Sequence, residues 1–322
     1  MKPPATPRNS ISLKLKWPGS SLWLGWGMAL TSTVAFSVAT PIARAAITGG
    51  IDPTGLLMSR LIISSLLLGG SIALLAPRQL SIRRRGFFIC SAAGLANGVG
   101  MLTYFWALTW IDSSIASMIF SISPLAVLGL LALRGERFSR RHFVRLGLGL
   151  AGIYLLIGLD AGPTGGIAWQ GIGLVFITII CFAIHLSLIQ WFLQDYDARP
   201  VTFYVVLVMS LVSIGVWLIQ GAEWQDPGWQ GWLAIGVLAL VSTYLARLAL
   251  FIGVQKLGGG QVALLAPLET LLTVCWSVLF LHERLTFWQW LGGSLILISA
   301  LLAIKRLNRA RWRPRWRVWS RP

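Results

Sequence analysis

Acidic residues are scarce in this chain: Asp and Glu together number 10 in 322 residues, and charged side chains of either sign make up 11%. So little charge cannot solvate the surface of a water-soluble globule of this length. Cysteine is scarcer still. Cys90, Cys181 and Cys275 each lie in apolar stretches without the paired spacing of a disulfide framework or a zinc site. HExxH, GxSxG, phosphate-loop and CxxC patterns are all missing, so hydrolase and metalloenzyme chemistry have no residues to carry them. Neither an enzyme nor a bound cofactor or metal is expected.

What is abundant is apolar length. Hydrophobic residues reach 56% and the mean hydropathy is +0.74, enough to cross a bilayer many times. Ten apolar segments are predicted as helices: Leu22–Ile47, Thr54–Ala76, Gly86–Trp110, Ser113–Leu133, Arg141–Leu159, Ile167–Leu193, Pro200–Gln220, Gly231–Gly253, Gly260–Leu281 and Thr286–Ile304. The last five repeat the pattern of the first five at an offset of about 146 residues. An odd number of crossings per copy turns the two copies upside down relative to each other. The expected fold is therefore an all-α integral membrane protein with ten transmembrane helices in two inverted five-helix repeats. The expected organisation is a basic N-terminus (1–21), a first repeat (22–160), a second repeat (161–305) and an Arg/Trp-rich tail (306–322).

Lys and Arg number 27, for a formal charge of +17, and nucleic acid would be one reading of that excess. Its placement argues for topology instead. With the N-terminus in the cytoplasm, 23 of the 27 basic residues fall in inner segments, leaving Arg44, Arg60, Arg247 and Arg284 in helices or outside. Both termini are then cytoplasmic, Asp52, Asp112, Asp160, Glu223, Asp226 and Glu283 lie outside, and no nucleic-acid partner is needed. The 17 Trp gather at predicted helix ends, among them Trp106, Trp110, Trp169, Trp229 and Trp232, as interfacial anchors do. In the tail, Arg alternates with Trp312, Trp316 and Trp319, which suits an anionic lipid leaflet; a basic tail that only fixes topology is the alternative. Lys14, Lys16 and the Ala43-Arg44-Ala45 triplet imitate a signal peptide. The apolar run is too long for that, and cleavage would destroy the duplication.

The repeat aligns residue by residue where Pro124 and Gly135-Glu136-Arg137-Phe138-Ser139 face Pro267-Leu268-Glu269-Thr270 and His282-Glu283-Arg284-Leu285-Thr286. On the two Glu-Arg-x-Ser/Thr turns, the proline of the fourth segment, the Leu268-Glu269 pair and Arg60, residues from about Gly25 to Ile304 resemble the EamA family of the drug/metabolite transporter superfamily. The family's second copy usually has Pro after the Glu, where this chain has Thr270 and carries Pro267 upstream. The resemblance implies a ten-helix inverted-repeat carrier that moves small metabolites, often outward, without a cofactor.

Candidate site residues follow from the cost of polar groups in lipid. Pro124 and Pro267 are expected mid-helix, each freeing a carbonyl that only a cavity or protein can receive. Glu269 is expected near the bilayer centre, where an unpaired charge costs roughly 3 kcal/mol; a proton is its candidate coupling ion and Arg60 its expected partner, with Arg247 competing. Thr33 and Ser37, with Thr31, Ser32 and Thr40, form a hydroxyl face on the first segment that suits a cavity wall. Asn97 sits beside Gly94 and Gly98, a close-packing pattern, and His185 with Gln190 suits a cytoplasmic vestibule. Glu136 and Glu283 lie at helix ends and read as structural turn residues, or as gating groups. Ser139 and Thr286 cap the helices that follow, Thr286 in a capping box with Gln289. Gly147-Leu148-Gly149-Leu150-Ala151-Gly152 matches a dinucleotide fingerprint by letters but falls inside a helix, where it serves packing.

These features lead to a secondary transporter, gradient-driven and working by alternating access, in the cytoplasmic membrane. Its partners are a small-molecule substrate and lipid, and its oligomeric state is open. A passive exchanger without proton coupling, and a non-transporting scaffold or sensor, are the competing readings.

Overall fold

The computed structural model describes residues 22–75, 77, 82–132, 140–158, 169–192, 196, 198–221, 224, 226–257 and 265–307. Every element there is helical: α1 (Leu22–Ser37), α2 (Ala39–Thr48), α3 (Pro53–Leu75), α4 (Arg84–Ala107), α5 (Ser113–Phe120), α6 (Ser123–Ala132), α7 (Arg140–Gly158), α8 (Trp169–Phe192), α9 (Ala198–Ile219), α10 (Gly228–Val237), a π-helical turn (Leu238–Leu245), α11 (Ala246–Leu257), α12 (Ala266–Phe280) and α13 (Phe287–Leu307). Each predicted apolar segment thus contains helix. Six described stretches are long and apolar enough to cross a membrane, and Ser113–Val127 and Leu268–Phe280 are shorter apolar helices.

The surface is that of a protein solvated by lipid. Leu66, Leu74, Phe88, Ile219 and Phe280 are each at least 70% exposed, while Ser64, Ser113, Ser213, Thr243 and Ser299 are fully buried. Apolar residues outward and small hydroxyl residues inward is the arrangement expected where helices gain nothing by hiding apolar area from lipid. Trp110, Trp169 and Trp229 project at helix ends, as the interfacial reading expects.

Close helix contacts require glycine at two predicted places. A Cβ on Gly94 would stand 2.9 Å from the Val205 carbonyl oxygen, and one on Gly98 3.2 Å from Met209 Cα, so α4 and α9 pack backbone to backbone. In the dinucleotide-like string, a Cβ on Gly152 would stand 2.7 Å from the carbonyl oxygen of Gly292, the contact between α7 and α13. That string is helical throughout.

The pairing of elements has a pattern. Helix α4 packs on α8 and α9, α1 packs on α11, α3 packs on the π-turn and α9, and α7 packs on α13. Exchanging each segment with the one five places along turns the α4–α8 contact into the α11–α1 contact, and the α4–α9 contact into the contact of the π-turn with α3. Helices of one half are therefore packed mainly by helices of the other.

Two predicted single helices are interrupted. The first segment breaks at Val38 between α1 and α2, because Pro41 cannot donate to the carbonyl of Ser37 four residues earlier. The fourth breaks at Ser121-Ile122, between α5 and α6. The prolines expected mid-helix are instead the second residues of α6 and α12, where a missing N–H costs nothing. Glu269 moves with this correction: it lies in the first turn of α12, where the positive end of the helix dipole favours a carboxylate.

Candidate functional site

The broken first segment docks onto α12. The carbonyl of Ser37, freed by Pro41, accepts a hydrogen bond of 3.0 Å from Thr273 Oγ1, and Ser37 Oγ accepts one of 3.0 Å from Trp276 Nε1. Two residues past the break, Thr40 Oγ1 lies 3.4 Å from the Tyr104 hydroxyl of α4. Glu269 lies one turn before Thr273, whose Oγ1 also bonds the Glu269 carbonyl at 3.0 Å. Among the described residues its carboxylate has no ion-pair partner. A half-buried carboxylate, a buried phenol and an interrupted helix thus meet where α1, α2, α4 and α12 converge.

The expected partner of Glu269 is elsewhere. Arg60 gives its Nε to Thr243 Oγ1 at 3.1 Å and lays its guanidinium over the Phe105 ring, 5.5 Å from the centroid. Arg60 and Glu269 are therefore not an ion pair among the described residues. The hydroxyls of Thr31 and Thr33 bond to carbonyls four residues back, so those two serve their own helix. Asn97 is buried and donates to Met209 Sδ across the α4–α9 contact, at 3.1 Å. His185 is buried too, with Nδ1 2.9 Å from the Ala93 carbonyl, so Nδ1 carries the proton; it packs against α4 rather than lining an open vestibule. The side chains of Pro124, Pro267 and Gln190, and all of Glu136, Ser139 and the Arg/Trp tail beyond Leu307, lie outside the described residues.

A second cluster forms on the side assigned to the outside. Glu283 follows His282, whose φ of 55° turns the chain sharply after α12. Its carboxylate accepts from the backbone N–H of Ser113 and of Ser114, both at 3.0 Å, from Ser113 Oγ at 2.6 Å, and from Ser114 Oγ. It thus caps the N-terminus of α5 from 170 residues away. Asp112 holds the N-cap position but makes no capping bond. It pairs instead with Arg44 at 3.2 Å, and Arg44 also donates to the Leu108 carbonyl. A cleft of about 590 Å3 opens beside this cluster, lined by Arg44, Asp52, Thr109, Trp217, Trp224 and Asp226 among others. Thr286 and Gln289 make the expected capping box at α13, with bonds of 3.0 and 3.3 Å.

Burial, with the Glu283 charge nearby, holds the Asp112 carboxyl above its ordinary range, against the opposing pull of Arg44. A raised pKa means that ionised Asp112 opposes folding at neutral pH and that its penalty fades as pH falls through the raised value. Asp112→Asn should therefore leave the melting temperature at pH 7 unchanged or slightly higher, by less than about 1 kcal/mol given its partial exposure. A clear loss would show instead that the Arg44 pair outweighs the burial cost.

Helices of membrane length with an apolar exterior and polar groups facing inward are those of a multi-pass membrane protein. The chain belongs to the EamA-like transporter family, whose model matches residues 23–158 and again 169–305; that family lies within the drug/metabolite transporter superfamily. An uncharacterized transporter of Archaeoglobus fulgidus is 28% identical over 213 residues, covering 65% of this chain and 74% of that protein. An uncharacterized membrane protein of Saccharomyces cerevisiae is 31% identical over 109 residues, 33% of this chain and 26% of the yeast protein. A crystal structure with 19% identity covers 90% of this chain and 98% of its own at a TM-score of 0.60, a likeness of fold. Membership implies a small-molecule substrate and a transporter rather than an enzyme.

Proposed function

We propose that this protein is a secondary transporter that exports a small metabolite across the cytoplasmic membrane by alternating access, as ten helices in two inverted repeats. The observation that carries the reading is the broken first segment held by α12 beside Glu269: interrupted helices meeting at a carboxylate are how carriers place substrate and coupling ion. The exchange pattern of helix contacts supports the repeat. Glu269, Tyr104, Ser37 and Thr40 form the coupling side of the site. The Glu283 clamp and the Arg44–Asp112 pair close its outer end, below the cleft. The tail lies on the anionic inner leaflet.

The test is Glu269→Gln in liposomes, using a metabolite found by thermal-shift screening of the purified protein. Proton-driven accumulation should fall to background while solute exchange persists, since a neutral amide keeps the helix packing but cannot carry the proton. Because Arg60 is held by Thr243, adding Arg60→Gln should not restore what Glu269→Gln removes. Driven accumulation at the wild-type rate by Glu269→Gln would take the residue out of the mechanism.

Topology has its own test. In a background lacking native cysteines, a cysteine at Asp52 should react with an impermeant thiol reagent in intact cells and one at Ser81 should not. The reverse pattern would invert the assignment of both termini to the cytoplasm.

A further inference from the structure

Helix packing brings a buried arginine, Arg60, and a half-buried one, Arg247, to the same helical turn without an ion pair to a described carboxylate. The π-turn makes this possible: five residues separate Thr243 from the Leu238 carbonyl that its Oγ1 bonds at 3.0 Å, and the same hydroxyl oxygen receives Arg60 Nε. Ser64 ties α3 to the turn a second time, donating to the Ala239 carbonyl at 3.2 Å. Arg60 is 5% exposed and Thr243 fully buried, so the guanidinium is fixed in place. Arg247 stands four residues past Thr243, one turn along the same face. Arg60, bonded to Thr243, therefore lies within one helical turn of the Arg247 position. The Arg247 Nε is buried with no acceptor among the described residues.

No described carboxylate forms an ion pair with either arginine, and four of the five have other partners. Asp52 accepts from the Gly55 N–H, Asp226 from Trp232 Nε1, Asp112 from Arg44 and Glu283 from Ser113 and Ser114. Glu269 lies in the first turn of α12. The other five acidic residues, Glu136, Asp160, Asp195, Asp197 and Glu223, fall in or at the ends of connecting stretches of the sequence. Two guanidinium groups in a membrane interior, one with a buried donor left unused, are costly to keep unless an anion meets them in the working cycle. Their planar forks match carboxylate and phosphate oxygens, while a metabolite cation would be repelled.

We infer that Arg60 and Arg247 form an anion subsite that takes a carboxylate or phosphate group of the transported solute, with the π-turn as its scaffold. This rests on the transport reading above and adds the charge class of the substrate. His185, held by Ala93, walls the subsite without supplying a countercharge.

The experiment uses purified full-length protein and a thermal-shift panel at matched ionic strength: inorganic phosphate, acetate, succinate and benzoate against tetramethylammonium. At least one anion should raise the melting temperature saturably, by about 2–4 °C at tenfold its dissociation constant, and the cation should not. The shift should vanish in Arg247→Gln and survive in part in Arg247→Lys, which keeps the charge but loses the fork. No saturable shift with any anion, or the same shift in Arg247→Gln, overturns the inference; if that variant fails to insert, the wild-type panel and Arg247→Lys decide. In liposomes the two readings part. An anion that binds but is not moved refutes transport and keeps the subsite, whereas Arg247-independent movement of a cation refutes the subsite and keeps transport.

Discussion

Glu283→Ala should lower the stability of the purified protein by roughly 2–4 kcal/mol, the largest loss expected from any single polar side chain described above, because four hydrogen bonds to one carboxylate disappear together. The backbone donors of Ser113 and Ser114 would then be left at a helix start without an acceptor. Glu283→Gln should fall between, since its amide keeps one acceptor oxygen and loses the charge that the helix dipole favours. In a Ser113→Ala, Ser114→Ala background the same change should cost less, because part of what it removes is already gone. Melting curves on the single, double and triple variants read this directly, and a wild-type curve for Glu283→Ala would mean that water replaces the clamp at no cost.

The second large effect concerns two glycines of one hexapeptide. Gly152→Ala should destabilise by about 1–3 kcal/mol, because the new methyl would lie 2.7 Å from the backbone oxygen of Gly292 and from Ile296 Cγ1 and would push α7 off α13. Gly147→Ala meets nothing within 4 Å and exchanges a poor helix former for the best one, so it should be neutral or stabilising. Equal losses at both positions would contradict the packing and point to a role for the string as a whole.

Much of the fold was legible because apolar length and charge placement act locally. Each of the ten apolar segments contains helix, the Thr286–Gln289 box forms as written, and Gly94, Gly98 and Gly152 stand at close contacts. The break in the first segment has a sequence signal in Pro41. Pro124 and Pro267 lie at helix starts, a position that depends on where the preceding turn ends and not on the proline itself. The site was less legible. Capping of α5 by Glu283 and the bond from Arg60 to Thr243 join residues 169 to 183 positions apart, and no spacing rule spans such a gap. Opposite charge alone pairs Arg60 with Glu269 in the sequence, whereas its Nε is bonded to Thr243 and its guanidinium lies over Phe105. Ser37 is a candidate for its hydroxyl, yet its carbonyl also bonds α12, through Thr273 Oγ1.

The wide turn at Leu238–Leu245 also acts as a phase shifter within its segment. Each residue of an α-helix advances the side-chain direction by about 100°, and the π-turn absorbs one residue without advancing it. Deleting a single residue there, Leu240 for instance, would let the segment relax into continuous α-helix while keeping its length and hydropathy nearly unchanged. The two ends of the segment would keep their own faces, Gly231 against Ile51 and Gly253 against Ala29, but Thr243 would lose its bond to the Leu238 carbonyl and its fixed bearing on Arg60. Such a chain would insert and fold as before, and would have lost its aim.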